Sequence, residues 1–315
     1  MKTGLLCIGL TTLDIVGRPI DAIPADERTT LVEAIACAPA GTAGGAAMVA
    51  ARLGLPVKLA SAVGDDLAGR FVRLALGETG VNTSLLETLS GRPTSATMLT
   101  IDRAGRRPNF HAPGAGMLAR ATDAVAAEAG ETKFLHYAGI GGRKLDGGPG
   151  AALAQVARAA GAIVTCDLIS PGPEARAEVE RLLPHVDYFM PSAAEARTLT
   201  GQADLAVAAA TFMRLGARAC IIKNGGEGGL AFLGGPPARI AAHDIVPVDT
   251  TSCGDAFCAG FIAALDHGRP PIEACRFAAA TAALVALGLA TLGRLESFAA
   301  TDAAMATLKL KETRS

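Results

Sequence analysis

The sequence predicts an α/β fold in which a mostly parallel central sheet is flanked by helices and carries a small β lid. Three observations predict it. From Phe134 onward, short apolar runs of strand length alternate with helical stretches, the pattern of successive βα units. Near the start, Leu5–Leu10 is a continuous apolar run, as expected of a strand buried on both faces. Between the two, residues 94–109 switch to a period of two, Thr alternating with apolar residues, which belongs to a β-hairpin.

Taken in order, Leu5–Leu10 leads through Gly9 to Asp14. That carboxylate lies just past the strand's carboxyl end, the edge where open α/β sheets bind ligands, and its alternative is a surface-turn aspartate. Residues 15–39 are broken by Pro19, Pro24 and Pro39 and look like a small β excursion. Residues 40–54 form a glycine-rich turn running into an alanine-rich helix that stops at Gly54. Gly41, Gly44 and Gly45 permit close backbone approach to a ligand, or equally tight helix–sheet packing. Residues 56–63 are the next strand, and a helix follows from Leu67 to Gly77.

The hairpin at 94–109 turns at 102–105 and, with 15–39, is expected to form a lid that excludes water from a site. Strands are then expected at 134–138, 163–167, 188–190 and 219–223, with helices at 149–160, 174–183, 193–199 and 204–215. Residues 245–265 read as a short apolar strand, a tight polar turn with Gly254, and a small-residue helix. The polar end, 309–315, is expected to fray. No repeat or linker interrupts the chain, so one domain over 1–315 is expected, its lid built from about 15–39 and 94–110.

Composition narrows the function. A formal net charge of -1 and a pI near 6.5 argue against a nucleic-acid partner. The cluster Arg103, Arg106 and Arg107 is either a solvated hairpin tip or a contact for a substrate anion. Seven cysteines without a C-x-x-C pair fit a reducing cytoplasm, and the histidines lack zinc-ligand spacing. The run 277–292 is too short and too dotted with Gly and Thr for a membrane span, and Asp14 argues against a signal peptide, so a soluble protein is expected.

The chemistry concentrates at 249–255, Asp-Thr-Thr-Ser-Cys-Gly-Asp. A helix start offers free N–H groups and a positive dipole end, which suit a phosphate. Asp255 at that start is then either a helix cap or a base working beside the phosphate. No G-x-x-x-x-G-K-[ST], G-x-G-x-x-G or G-x-S-x-G segment offers a competing site.

These residues resemble the ribokinase (PfkB) family of carbohydrate and nucleoside kinases, over nearly the whole chain. Asp249–Asp255 is similar to that family's D-T-T-G-A-G-D. Supporting likenesses follow in order: Gly9 with Asp14, residues 40–54 ending in A-R-L-G, Val63-Gly64-Asp65, Pro191–Glu195 for N-x-x-E, and Lys223-Asn224-Gly225. The resemblance implies a ribokinase-like three-layer sandwich. It implies Asp255 as the base and the amides of Ser252, Cys253, Gly254 and Asp255 as an anion hole. Asp14, Gly41, Thr42 and Gly45 would bind a sugar or nucleoside, and Lys223, Gly225, Gly228 and Ala279 would border ATP. Glu195 would help hold Mg2+. A monovalent cation such as K+ and a homodimer through the lid are also implied.

The departures are Ser252 and Cys253 for Gly and Ala, Gly45 and Ser192 for Asn, and Ala279 for an Asn near adenine. Serine at 252 would cost about 1 kcal/mol if that position needs positive φ. The helix start is expected to keep Asp255 ionised at neutral pH. A sugar is favoured over a nucleoside because only Phe110 and His111 offer rings near the site, and lid packing accounts for them too. A non-catalytic sugar-binding protein on the same fold is the alternative from another class.

Overall fold

The computed structural model describes residues 2–168 and 172–312. Its strands are β1 Thr3–Gly9, β2 Thr12–Arg18, β3 Ala34–Ala40, β4 Val57–Gly64, β5 Leu86–Leu89, β6 Ala96–Thr100 and β7 Asn109–Ala112. They continue with β8 Thr132–Ile140, β9 Ile163–Leu168, β10 Tyr188–Phe189, β11 Ala219–Lys223, β12 Gly229–Phe232 and β13 Ala238–Ile240. The helices are α1 Thr42–Arg52, α2 Leu67–Glu78, α3 Asp123–Glu131, α4 Pro149–Ala159 and α5 Arg176–Leu182. After them come α6 Ala193–Thr200, α7 Leu205–Arg214, α8 Cys253–Asp266, α9 Pro271–Ala286 and α10 Phe298–Thr307.

The main sheet has the order β13-β12-β11-β10-β9-β8-β1-β4-β5. From β11 to β5 the pairs are parallel, and β12 and β13 close one edge antiparallel. Because side chains alternate along a strand, β1 feeds two cores: Leu5 and Cys7 on one face, Leu6 and Ile8 on the other. The first core is completed by α1, α8 and α9, the second by α3, α4 and α7. Three layers result, as expected.

The lid is a separate four-stranded sheet, β3-β2-β6-β7, with β2 and β6 parallel and the outer pairs antiparallel. It starts earlier than the sequence suggests. Asp14 belongs to lid strand β2, not to the loop after β1. One lid face is rooted by Val16, Leu99 and Ile101, which pack on Ala290. The other is an exposed apolar row across the register, Ile15 beside Cys37 and Met98, and Met98 beside Phe110.

Two expectations are corrected. Residues 245–248 form no strand, because Pro247 has no N–H for a ladder and Val246 is 86% exposed. The end does not fray up to Lys311, whose amide bonds Ala242 O at 2.9 Å while Leu310 pairs with His243. Residues 313–315 lie outside the described residues. The apolar run 277–292 is divided between α9 and the loop after it, and no helix among the described residues is long and apolar enough to cross a membrane.

The β1–β8 crossing depends on Gly9. At φ 147, a Cβ there would lie 2.1 Å from Ala138 O, which is backbone and cannot yield. Gly9→Ala is therefore expected to lower the unfolding free energy by at least about 3 kcal/mol. Gly54→Ala, at φ 90 with open space around it, is expected to cost only about 1–2 kcal/mol in the same urea titration.

Candidate active site

The start of α8 is held from two sides. Asp249 is 1% exposed, and its Oδ1 accepts the Thr251 amide at 2.8 Å and the Thr251 hydroxyl at 2.6 Å. Its Oδ2 accepts the Ala290 amide at 2.9 Å, and the Val248 amide bonds Ala286 O at 2.8 Å. Thus the turn is tied to the loop after α9, the loop on which the lid is rooted. Within the turn, Ser252 takes the left-handed conformation, φ 54 and ψ 10. The cost is about 1 kcal/mol relative to glycine, and the amides stay available all the same. The first α8 bond is Ala256 N to Ser252 O at 2.8 Å, so the Cys253, Gly254 and Asp255 amides lack intrahelical acceptors. Of these, the Cys253 amide makes a long turn bond to Thr250 O, at 3.4 Å.

Charge collects under this helix start. Lys223, at the carboxyl end of β11, pairs with Asp167 at the carboxyl end of β9 at 2.6 Å, and both are nearly buried. Cys258 on α8 touches the pair, 3.3 Å from Asp167 Oδ2 and 3.5 Å from Lys223 Nζ. Burial works against the Lys223 ammonium, yet the Asp167 carboxylate beside it, with Cys258 and Glu195, holds its pKa above the ordinary lysine value. A Cβ placed on Gly254 would be 3.6 Å from Lys223 Nζ, so the ammonium ends beside the helix start.

Asp255 is half-buried against this cluster. Burial first, and the Asp167 carboxylate second, push its pKa up from 3.8 to about 8, against Lys223, the Ser252 hydroxyl bond and Arg107. The expectation that the helix start alone keeps it ionised at neutral pH is corrected on this ground. Burial and a second carboxylate outweigh the dipole.

The other expected residues divide. Glu195 forms a capping box on α6: its Oε2 accepts the Ser192 amide at 2.7 Å, and Ser192 Oγ accepts the Glu195 amide at 3.2 Å. Ser192 thus does a capping job in the place where the resemblance has Asn. Burial and Asp167 raise the Glu195 pKa. Thr42 donates its hydroxyl to Ala138 O at 2.7 Å, anchoring α1 to β8, and Gly41 at φ 85 crosses Leu10 closely. Gly45 faces Asp255 directly. A Cβ there would be 2.8 Å from Asp255 Oδ2 and 3.0 Å from Ser252 Oγ. Gly228 is fixed by the approach of Ile240 O, whereas Gly225 borders open space. Ala279 is half-buried on α9.

On the lid, register places Asp14 beside Thr97 and Thr97 beside His111, one polar row on the face opposite Phe110. Asp14 is 6% exposed and accepts the Thr12 hydroxyl at 2.7 Å. Burial raises its pKa, opposed by Thr12, Thr97, His111 and Arg107. Phe110 and His111 therefore point to opposite faces and make no two-ring clamp. Of the three hairpin arginines, Arg103 pairs with Asp21 and Arg106 with Asp102. Arg107 has no ion-pair partner among the described residues, and its charge acts on Asp14, Cys253 and Asp255.

Sequence reasoning missed Asp167 and Thr97; it left Arg107 open as a contact for a substrate anion, and the Arg107 charge acts on Asp14 and Asp255. Asp167 carried a readable signal, a carboxylate ending a buried apolar strand at the sheet's ligand edge.

Residues 2–293 match the profile of the pfkB family carbohydrate kinases. The chain is 28% identical over 248 residues to a ribokinase of Haemophilus influenzae, covering 76% of this chain and 78% of that one. It is 30% identical over 249 residues to a fructokinase of Klebsiella pneumoniae, with 74% and 78% covered. The fold superposes on an Arabidopsis thaliana ribokinase complexed with ribose and ATP at a TM-score of 0.79 and 22% identity, covering 97% and 99%. The match over nearly the whole length places the chain in the pfkB family of carbohydrate kinases.

Proposed function

We propose that this kinase transfers the γ-phosphoryl group of ATP to a hydroxymethyl group of a sugar or sugar derivative, with Asp255 as general base. One observation carries the reading: a half-buried carboxylate stands at an open helix start, among amides free of helical bonds and with the Lys223 ammonium beside Gly254. The amides at 252–255 and Lys223 stabilise charge developing on the phosphoryl oxygens. Asp14, with the segment Gly41, Thr42 and Gly45, holds the acceptor. Lys223, Gly225, Gly228 and Ala279 border the nucleotide, and the Arabidopsis relative's complex with ATP supports ATP as that nucleotide.

No cluster of three or more potential ligands exists among the described residues. That fits Mg2+, which is commonly held by one or two carboxylates together with phosphates and water. Glu195, with one oxygen committed to Ser192, would supply such a carboxylate, and the ion when bound would neutralise phosphate charge. A monovalent cation such as K+ stays within this reading. So do a cytoplasmic setting and a homodimer through the lid, the last supported by the exposed row Ile15, Met98 and Phe110.

Arg107 favours a second, narrower reading in which the acceptor sugar carries an anion, such as a phosphate. Arg107→Gln is then expected to raise KM for a phosphorylated sugar at least tenfold while sparing KM for ATP; an equal change for neutral sugars would remove this reading.

Asp255→Asn is expected to lower kcat by about 10²–10⁴ with ATP affinity retained; near-normal turnover over a panel of sugars and nucleosides would defeat the assignment. The pH dependence follows from the raised carboxyl. An ionised base is required, so kcat/KM should rise with pH on an acid limb near pH 8. Stability runs the other way. The unfolded carboxyl ionises near 3.8 and the folded one near 8, so stability present below 3.8 is lost as pH rises through 8. The Asp255→Asn variant escapes that loss, and its melting temperature should exceed that of the wild type increasingly from pH 4 to about 8.

A further inference from the structure

Ser252 is an unusual residue for its place. It precedes α8 in the left-handed region, where glycine would sit without strain, and it is 8% exposed. Serine is a favoured helix cap, yet this hydroxyl makes no capping bond to α8. The strain therefore has no compensation in the helix. The hydroxyl is turned toward α1 instead, where the space that a side chain at Gly45 would fill touches both Ser252 Oγ, at 3.0 Å, and Asp255 Oδ2, at 2.8 Å. Two oxygens share a niche that exists because residue 45 has no Cβ.

We propose that the Ser252 hydroxyl, housed by Gly45, is a positioning residue that donates a hydrogen bond to Asp255 and aims its carboxylate at the acceptor hydroxyl. The inference rests on the kinase reading above and deepens it. Its physical content is a donor that favours the charged form of the base. The same bond is among the influences that hold Asp255 below where burial and Asp167 would otherwise take it. The other charged or titratable groups facing Asp255 are Lys223 from β11, Arg107 from the lid, Asp167 from β9, and Cys253 and Cys258 on α8 itself. Lys223 and Arg107 act with the hydroxyl; Asp167 acts against it.

The arrangement also links two departures noted in the sequence. A residue larger than glycine at 45 would press on both oxygens, so Gly45 and Ser252 form one device: the donor sits on the helix start and the opposing helix makes room for it.

The test compares Ser252→Ala, Ser252→Gly, Gly45→Asn and the double variant Gly45→Asn/Ser252→Gly with wild type. Ser252→Gly removes strain along with the hydroxyl, so a purely structural role would make it the healthier variant. Expected instead is that both Ser252 variants move the acid limb of kcat/KM up by about half a pH unit or more, with KM for ATP unchanged. Gly45→Asn alone should lose activity, and the double variant should regain part of it by offering an amide donor from α1. A second readout needs no turnover. Between pH 5 and pH 9 the Ser252→Ala protein should lose more melting temperature than wild type, and this difference should vanish in the Asp255→Asn background. Unchanged acid limbs, or a pH-independent melting difference with Asp255 present, would overturn the inference. If wild type phosphorylates no acceptor, the kinase reading fails, while the melting comparison still decides whether Ser252 is coupled to Asp255.

Discussion

The site depends on one buried carboxylate that does no chemistry. Asp249 accepts the Thr251 amide and hydroxyl and the Ala290 amide, and so clamps the turn before α8 to the loop after α9. That loop also carries the lid. Val16, Leu99 and Ile101 pack on Ala290, and the Thr291 hydroxyl bonds Pro39 O in β3. A polar group taken so far from water is sustained by hydrogen bonds made locally. The lid and the turn before α8 therefore share one anchor, which fixes the lid base relative to the open amides.

The second constraint is electrostatic. Lys223 is nearly buried and directly paired with Asp167, while Glu195 and Asp255 also lie within its influence. One ammonium cannot satisfy three carboxyl groups in a poorly hydrated space. Asp167 takes the direct contact, and burial first, then the Asp167 charge, raises the pKa values of Asp255 and Glu195. The excess acid is a cost to the fold, and under the proposed mechanism it favours the reaction, since a base with a pKa near operating pH accepts a proton far more readily than an ordinary aspartate. Functional groups commonly destabilise the protein that carries them.

Much of this was legible in the sequence because it is periodic or local. The buried runs at β1, β8, β9 and β11 and the small-residue start of α8 state their structure through pattern alone. So does the lid alternation, which already places Phe110 and His111 on opposite faces. What failed was what depends on partners distant in sequence. Residues 245–248 have strand composition, but Pro247 would break the ladder. Glu195 and Ser192 are a separate case: the S-x-x-E that resembles a ligand motif also spells the capping box formed there, which commits one Glu195 oxygen. The Asp255 pKa could not be read locally, since Asp167 is far away in the chain and only the sheet order brings β9 beneath α8.

The departures from the family pattern make sense only as neighbours in space. Glycine in the turn would remove backbone strain, and a polar side chain on α1 could serve the site from the other side. This chain has the reverse arrangement, with serine on the turn and glycine on α1, and a side chain at 45 would have to displace Ser252 Oγ and Asp255 Oδ2. The niche holds one side-chain donor beside Asp255, and the chain has placed it on the strained element. The carboxylate and its donor then ride on the same helix start, braced by Asp249. Strain at Ser252 is what this arrangement requires, and the anchor at Asp249 is what sustains it.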